Sequence, residues 1–428
     1  MAWFGRKQEA PVEVEEVEQP RLPDPPAPNA DGLRSMEAHV EYLLRLVEPL
    51  RPFGMGLLEA WGQVVCEDLS SLIEVPHDTT ALVDGYAVRA ADLLDDAGAG
   101  GGAMVLVGGE GRLPLGAVRK VSVGEALPPG ATAVLPSVYV ALEGDLARIF
   151  ETVAPGEYAR AAGEHLSAGE SLLREGDLLT DRAVGLLASA GIDKVFVRPR
   201  PRVVVIGSGE GLVTPGEFGH GGHTIDANSF LIAAAARAAG AQVYHTVVGS
   251  NDPGALRQTV TDQLIRAALF FSPTGGRRED FEAAADVMRG IGLVDSAQVA
   301  MIPGRTQTFG LIGEDFTPMI MLPGNPVSAY VSFQAFGWPL IRKLAGADPH
   351  RQLIRGIATR GMRSLEGQTH LLRATVTRES GIHRVTQVSR PHALTELSEA
   401  NAIVVLDETT AGAKAGEAVR YWLLDDHR

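Results

Sequence analysis

The chain has 428 residues, 45% of them hydrophobic, and a formal net charge of −15, so several domains are expected rather than one core. The acidic balance excludes general nucleic-acid binding, which needs a basic surface, and no apolar run is long enough to span a bilayer. The single cysteine, Cys66, excludes an internal disulfide and a cysteine zinc cluster; without a signal-type apolar core, the chain reads as cytoplasmic.

Residues 1–30 carry a Val/Glu alternation and then Pro20, Pro23, Pro25, Pro26 and Pro28, the composition of an extended or disordered arm. Trp3, Phe4, Arg6 and Lys7 form either a short docking peptide or an idle tail. Arg34 to Leu50 shows helical spacing, with Val40, Leu43, Leu44 and Val47 on one side and Ser35 as N-cap. A second helical segment is expected at Leu57–Gly62 and another at Ala183–Ala190. Between them, residues 80–150 are rich in Gly and Val, which predicts short strands with tight turns.

From Pro201 to Leu344 the pattern alternates strand, glycine turn and helix. Strands are predicted at Arg202–Ile206, Ala241–Val248, Ala268–Ser272 and Thr317–Leu322. Helices are predicted at Phe230–Gly240, Pro253–Ala267, Phe281–Gly290 and Pro326–Leu344. That order implies a parallel sheet covered on both faces, with ligands at the carboxyl ends of its strands. Residues 350–428 return to short strands, such as Leu371–Val376 and Ala402–Leu406, and read as a small β domain.

Three strand ends carry glycine turns: Gly207-Ser208-Gly209-Glu210-Gly211, Thr274-Gly275-Gly276 and Pro323-Gly324-Asn325-Pro326. The first is not a dinucleotide fingerprint, because Thr214, Pro215 and Gly216 follow where a helix should open. In the third, Asn325 stands at an N-cap and Pro326 at the first helical position, leaving a helix start behind a flexible glycine, a geometry suited to an anion. A well-capped turn without a ligand fits it equally. Arg277, Arg278 and Arg305 are candidates for holding phosphate. Asp226, Asp252 and Asp280 are candidates for holding magnesium. No Ser/His/Asp arrangement stands out; Ser328 falls inside a helix start, not at an exposed elbow, and His77, His165, His220 and His223 lack zinc spacing.

Beyond the arm, the sequence resembles the molybdopterin molybdenumtransferase family, the MoeA proteins and the E domain of gephyrin. The resemblance rests on Asp84-Gly85-Tyr86-Ala87-Val88, on Leu322-Pro323-Gly324-Asn325-Pro326-Val327-Ser328-Ala329, on Arg160, Gly163, Glu164 and Gly169, and on Ile225-Asp226-Ala227-Asn228. Glu399-Ala400-Asn401 and Ala415-Gly416-Glu417 echo the family's last domain. It implies a multidomain α/β fold: a helical/β domain from residues 31–75 and 151–200, a β lid at 76–150, a molybdopterin-binding-like α/β domain at 201–348 and a C-terminal β domain at 349–428. It further implies an elongated homodimer that binds adenylylated molybdopterin, molybdate and magnesium in a cleft between protomers. The matching site positions are Asp84, Asp252 and Asp280 for catalysis, and Asp226 and Asp252 for metal. Gly209, Glu210, Gly275, Gly276, Arg277, Arg305, Pro323, Gly324, Asn325, Pro326 and Ser328 match the ligand-binding positions.

Several family positions are substituted: Thr79, Asn251 and Gly211 stand where acids are expected, Ile302 for a lysine, Val123 for a threonine, and Arg277 and Arg278 in a turn of small residues. Losing members of a charged constellation costs catalysis heavily. The first expectation is therefore a gephyrin-like adaptor, tethering a membrane protein's cytoplasmic segment to a tubulin-like division polymer and recruited there from the cytoplasm. The alternative is an active molybdenumtransferase with a rearranged site; a third is a protein that binds the pterin nucleotide without turning it over.

Overall fold

The computed structural model describes residues 21–93, 102–217, 223–388, 390 and 393–424. Trp3, Phe4, Arg6 and Lys7 of the arm, and His220, lie outside the described residues. The chain divides into two compact units, one of residues 1–50 with 200–428 and one of residues 51–199.

The first unit opens with helix α1, Met36–Arg45, which buries Tyr42, Leu43 and Leu44 as the apolar spacing requires. Ser35 occupies its N-cap without making the side-chain cap bond. The central sheet holds β1 (Arg202–Ser208), β2 (Gln242–Val248), β3 (Leu269–Pro273), β4 (Gly292–Gln298), β5 (Thr306–Ile312) and β6 (Thr317–Leu322) in the order 2-1-3-6-5-4. The first four of that order run parallel. The last two add antiparallel, which corrects the expectation of an all-parallel sheet. β4 and β5 mix Asp295, Ser296, Gln298, Thr306, Gln307 and Thr308 among their apolar residues. They therefore lack the continuous apolar run of a doubly covered strand such as Val203-Val204-Val205-Ile206.

Helices cover the sheet: α2 (Asn228–Ala238), α3 (Pro253–Leu264), α4 (Arg278–Arg289), α5 (Pro326–Ser332) and α6 (Trp338–Leu344). The single helix expected at 326–344 is instead two α segments joined by a π turn at Phe333–Gly337. Pro339 has no amide to complete the regular ladder, and a wide turn absorbs the missing bond. Gly337 sits where a Cβ would meet Phe271 and Phe333 within 2.8 Å, so the wide turn lies tight on the sheet. The core on this face joins Val203, Val205, Phe271, Ile320, Phe333 and Leu340 with Tyr42 of α1.

In the C-terminal part, β7 (Ile354–Ala358), β8 (Thr369–Glu379), β9 (Ile382–Gln387), β10 (Ala402–Leu406) and β11 (Ala418–Leu423) pair in the order 8-9-7-11-10. β10 pairs back onto β8, so the five strands close into a small barrel around Leu372, Ala374, Val385, Val404 and Tyr421.

The second unit contains a six-stranded sheet built from strands between Gly85 and Ile149, with Tyr86, Val88, Val118 and Leu135 in its core. A separate pairing joins Phe53–Gly56 to Lys194–Val197, beside a helix at Asp181–Ser189 that Thr180 caps through Ala183 N–H.

Candidate functional site at the carboxyl edge

The sheet order puts the three glycine turns side by side. β1, β3 and β6 are consecutive neighbours, and each ends in one of them. The approach is close enough to dictate residue type. A Cβ on Gly324 would stand 2.1 Å from the Gly275 carbonyl oxygen, and one on Gly275 would stand 2.2 Å from Asp280 Oδ2. These glycines are required by space, because neither has positive φ.

Asn228, the first residue of α2, pins the turns together. Its amide Nδ2 donates to Gly324 O at 2.7 Å and to Thr274 O at 3.2 Å. Asn325 caps α5 as expected, its Oδ1 accepting from Ser328 N–H at 3.1 Å. The glycine and asparagine work together: glycine lets the backbones meet, and the Asn228 amide satisfies the carbonyls that the meeting buries. Ser208 Oγ, Ser272 Oγ, Thr274 Oγ1 and Asn228 Oδ1 remain buried without a hydrogen-bond partner among the described residues. Such a concentration of unmade bonds at one strand edge is the signature of a site that completes itself with a polar ligand or water.

A cavity of about 180 Å³ opens there, lined by Gly209, Glu210, Leu212, Thr224, Gly275, Gly276, Arg277 and Asp280. Asp280 is 3% exposed. Its Oδ1 accepts from Asn251 Nδ2 at 2.8 Å and from Glu210 N–H at 3.3 Å. Arg277 reaches its Oδ2 from Nε at 3.4 Å. Burial pushes this carboxyl up, but the bonds from Asn251, Glu210 and Arg277 outweigh it and hold its pKa below the usual aspartate value.

Several expected roles change in place. Arg277 is not a free cation: beyond Asp280, its Nη2 donates to Glu210 O at 2.8 Å. Arg278 pairs with Glu282 at 2.7 Å, and Arg305 donates to Gln368 at 2.9 Å. The turn before Arg305 is nevertheless tied to the helix after Asn325. Gln307 Nε2 bridges Gly304 O at 2.6 Å and Ser332 Oγ at 2.8 Å.

The two carboxylates assigned to magnesium are engaged within the fold. Asp252 spends both oxygens capping α3, on Gly254 N–H at 3.2 Å and Ala255 N–H at 3.1 Å. Asp226 accepts from Ser229 N–H at 2.9 Å and from the Ser229 hydroxyl. Among the described residues no group of three or more His, Cys, Asp or Glu is gathered to hold a metal ion. Asp84 belongs to the other unit, where its Oδ1 accepts from Val123 N–H at 2.8 Å.

Sequence reasoning missed Asn228 as a functional residue, although an asparagine opening a helix after a glycine-rich loop is a recognisable signal. It also missed the Ser229 hydroxyl linking Asp226 to His245, 2.6 Å from the ring nitrogen Nε2. Ser229 lies in α2 and His245 in β2. Neither helical nor strand periodicity relates a residue of one element to a residue of the other, so this pairing emerges only in three dimensions.

Three family profiles match the chain: the MoeA N-terminal region (domain I and II) over residues 34–191, the probable molybdopterin binding domain over 204–343, and the MoeA C-terminal region (domain IV) over 355–424. A protein of Mycobacterium tuberculosis named molybdopterin molybdenumtransferase 2 is 31% identical over 369 residues, 82% of this chain and 89% of its own length. The chain belongs to the MoeA family. A Nostoc protein named molybdopterin molybdenumtransferase is 27% identical over 301 residues, 68% of this chain and 69% of its own. The structure of a molybdopterin biosynthesis MoeA protein from Pyrococcus horikoshii OT3 superposes with a TM-score of 0.70 at 25% identity, covering 91% of this chain and 100% of that one. The multidomain α/β MoeA fold is therefore that of this chain. No described helix is long and apolar enough to cross a membrane.

Proposed function

We propose that this MoeA-family chain acts in molybdenum cofactor assembly, binding adenylylated molybdopterin at the carboxyl edge and transferring molybdate to it. The observation that carries the reading is the junction of Gly209, Gly275 and Gly324 under Asn228, with buried polar atoms left unpartnered beside it. Backbone amides and a helix start recognise phosphoryl oxygens without side-chain charge. In this reading Asn325 and Ser328 orient the helix start toward the ester, and Asp280 holds Arg277 and the Glu210 backbone at the cavity wall.

The names of these relatives support a transferase better than an adaptor. One observation favours the adaptor that the substitutions suggest: Asn251 and Arg277 fill hydrogen-bonding capacity of Asp280 that a catalytic carboxylate would keep for ligands. Complementation of a strain lacking its own molybdenumtransferase, at ordinary molybdate, separates the two. Restored molybdoenzyme activity supports the proposal. Failure by a soluble, stably expressed chain returns the adaptor reading, with a homodimer as the form to carry it.

A further inference from the structure

We infer that the cavity beside Trp338, between α2, α6 and the end of β11, is a binding site for a tetrahedral oxyanion, either free or as a small phosphate ester. The cavity measures about 290 Å³, and its charged lining residues are Arg342, His350 and Arg351, with no aspartate or glutamate among the lining residues. That is unusual in a chain of net charge −15.

The two guanidinium groups are held in place. Arg351 Cζ lies 4.0 Å from the centroid of the Trp338 ring, and Arg342 Cζ lies 5.5 Å from it. Arg351 donates from Nη2 to Gln334 and from Nη1 to Leu423 O at 3.3 Å. Arg342 donates from Nε to Asp348 O at 3.4 Å. These partners are neutral. Among the described residues neither arginine forms an ion pair with a carboxylate, and the Nε of Arg351 is buried with no hydrogen-bond partner.

Arg342 is half-buried and has the Asp348 carboxylate near it, whereas Arg351 is partly desolvated with no carboxylate acting on it; charge so placed is costly unless it is paired or met by a ligand. Burial also lowers the pKa of Arg351 to about 10, so desolvation is already acting against its charge. An oxyanion placed in the cavity would accept from guanidinium N–H groups that Gln334, Leu423 and Asp348 leave unused, and would bring negative charge beside Arg351. The planar forks of two arginines suit phosphoryl oxygens better than a point cation would. His350 is already engaged by Glu41 and Asp348 at 3.1 Å each, so it contributes to the rim and not to the bonding shell. The site is separate from the glycine turns and shares no lining residue with the cavity at Asp280.

The test is calorimetry on the full chain with inorganic phosphate and, separately, phenyl phosphate, each followed in parallel by tryptophan fluorescence. Binding with a dissociation constant below about 10 mM is expected, with a fluorescence change because Trp338 stacks on Arg351. Arg351→Gln should weaken it by about tenfold or more, and Arg342→Gln should do so in a background where Arg351 is intact, covering the case that the first variant does not fold. Arg277→Gln, which does not line this cavity, should leave the fluorescence change unchanged. A preference for phenyl phosphate would mark an ester as the occupant, and equal binding of both a free anion. No heat and no fluorescence change with either probe overturns the inference. So does a fluorescence change on binding that survives both arginine variants, or that acetate reproduces at the same strength.

Discussion

The carboxyl edge and the Trp338 cavity prepare for an anion in opposite ways. At the edge, three turns meet with no room for a Cβ on Gly275 or Gly324, and the donors are backbone amides and a helix start. In the cavity, two arginines lie on an indole and the donors are side-chain guanidiniums. The first arrangement fixes geometry, because a Cβ on Gly324 would displace the neighbouring turn at Gly275 and one on Gly275 would displace the Asp280 carboxylate. The second supplies charge, and conservative replacements there leave the backbone where it is. Substitutions should therefore act mainly on folding at the edge and mainly on affinity in the cavity.

The sharpest way to break that contrast is Gly324→Ala. Its Cβ would stand 2.1 Å from Gly275 O and 2.9 Å from Gly276 Cα, both backbone atoms. The expected loss is about 3 kcal/mol or more of stability in denaturant unfolding. A loss smaller than about 1 kcal/mol would mean that the turns are looser than described.

A second effect of similar size tests the α1 face of the core. His39 is 2% exposed, neither ring nitrogen has a hydrogen-bond partner, and its ring stands edge-on to Phe336 at 5.2 Å. Burial, with Arg34 adding to it, lowers its pKa from 6.5 to about 4. The unfolded chain then takes up the proton more readily than the folded one. Stability is full above pH 6.5 and falls as the pH drops toward 4, by about 3 kcal/mol. His39→Leu should flatten that part of the pH profile; an unchanged slope would place the loss elsewhere.

Asn228→Ala removes two hydrogen bonds and strands the Thr274 and Gly324 carbonyls, so about 2 kcal/mol is expected. Asp280→Asn is expected to cost about 1 kcal/mol. The folded pKa of Asp280 is depressed, so its contribution is present above the unfolded aspartate value and disappears as pH falls through the folded one. The variant should lose that acid-range dependence. If Asn228→Ala cost less than Asp280→Asn, the glycine turns would be held by the cavity wall and not by the clamp.

The parts of this molecule legible in sequence are those where one local rule acts strongly. Val203 to Ile206 is an unbroken apolar run and reads at once as a covered strand. Asn325 and Pro326 announce a helix start by residue type alone, and the cap is there. Strands β4 and β5 escape a sequence reading because polar residues such as Asp295, Ser296, Gln307 and Thr308, the last two buried, interrupt the apolar pattern. The site is legible as a place and not as a wiring. Which carboxylate binds what depends on distances across as many as 70 residues, as between Glu210 and Asp280. Asp252 looks like a metal ligand in a motif and also caps a helix, because capping residues and metal ligands are drawn from the same short list.

The most direct test of the proposed role is the release of adenylate from adenylylated molybdopterin by the purified chain in the presence of molybdate. The expected result is adenylate release that depends on molybdate and is lost in Gly324→Ala or Asn228→Ala. Binding of the ester with no release above the uncatalysed background would contradict it.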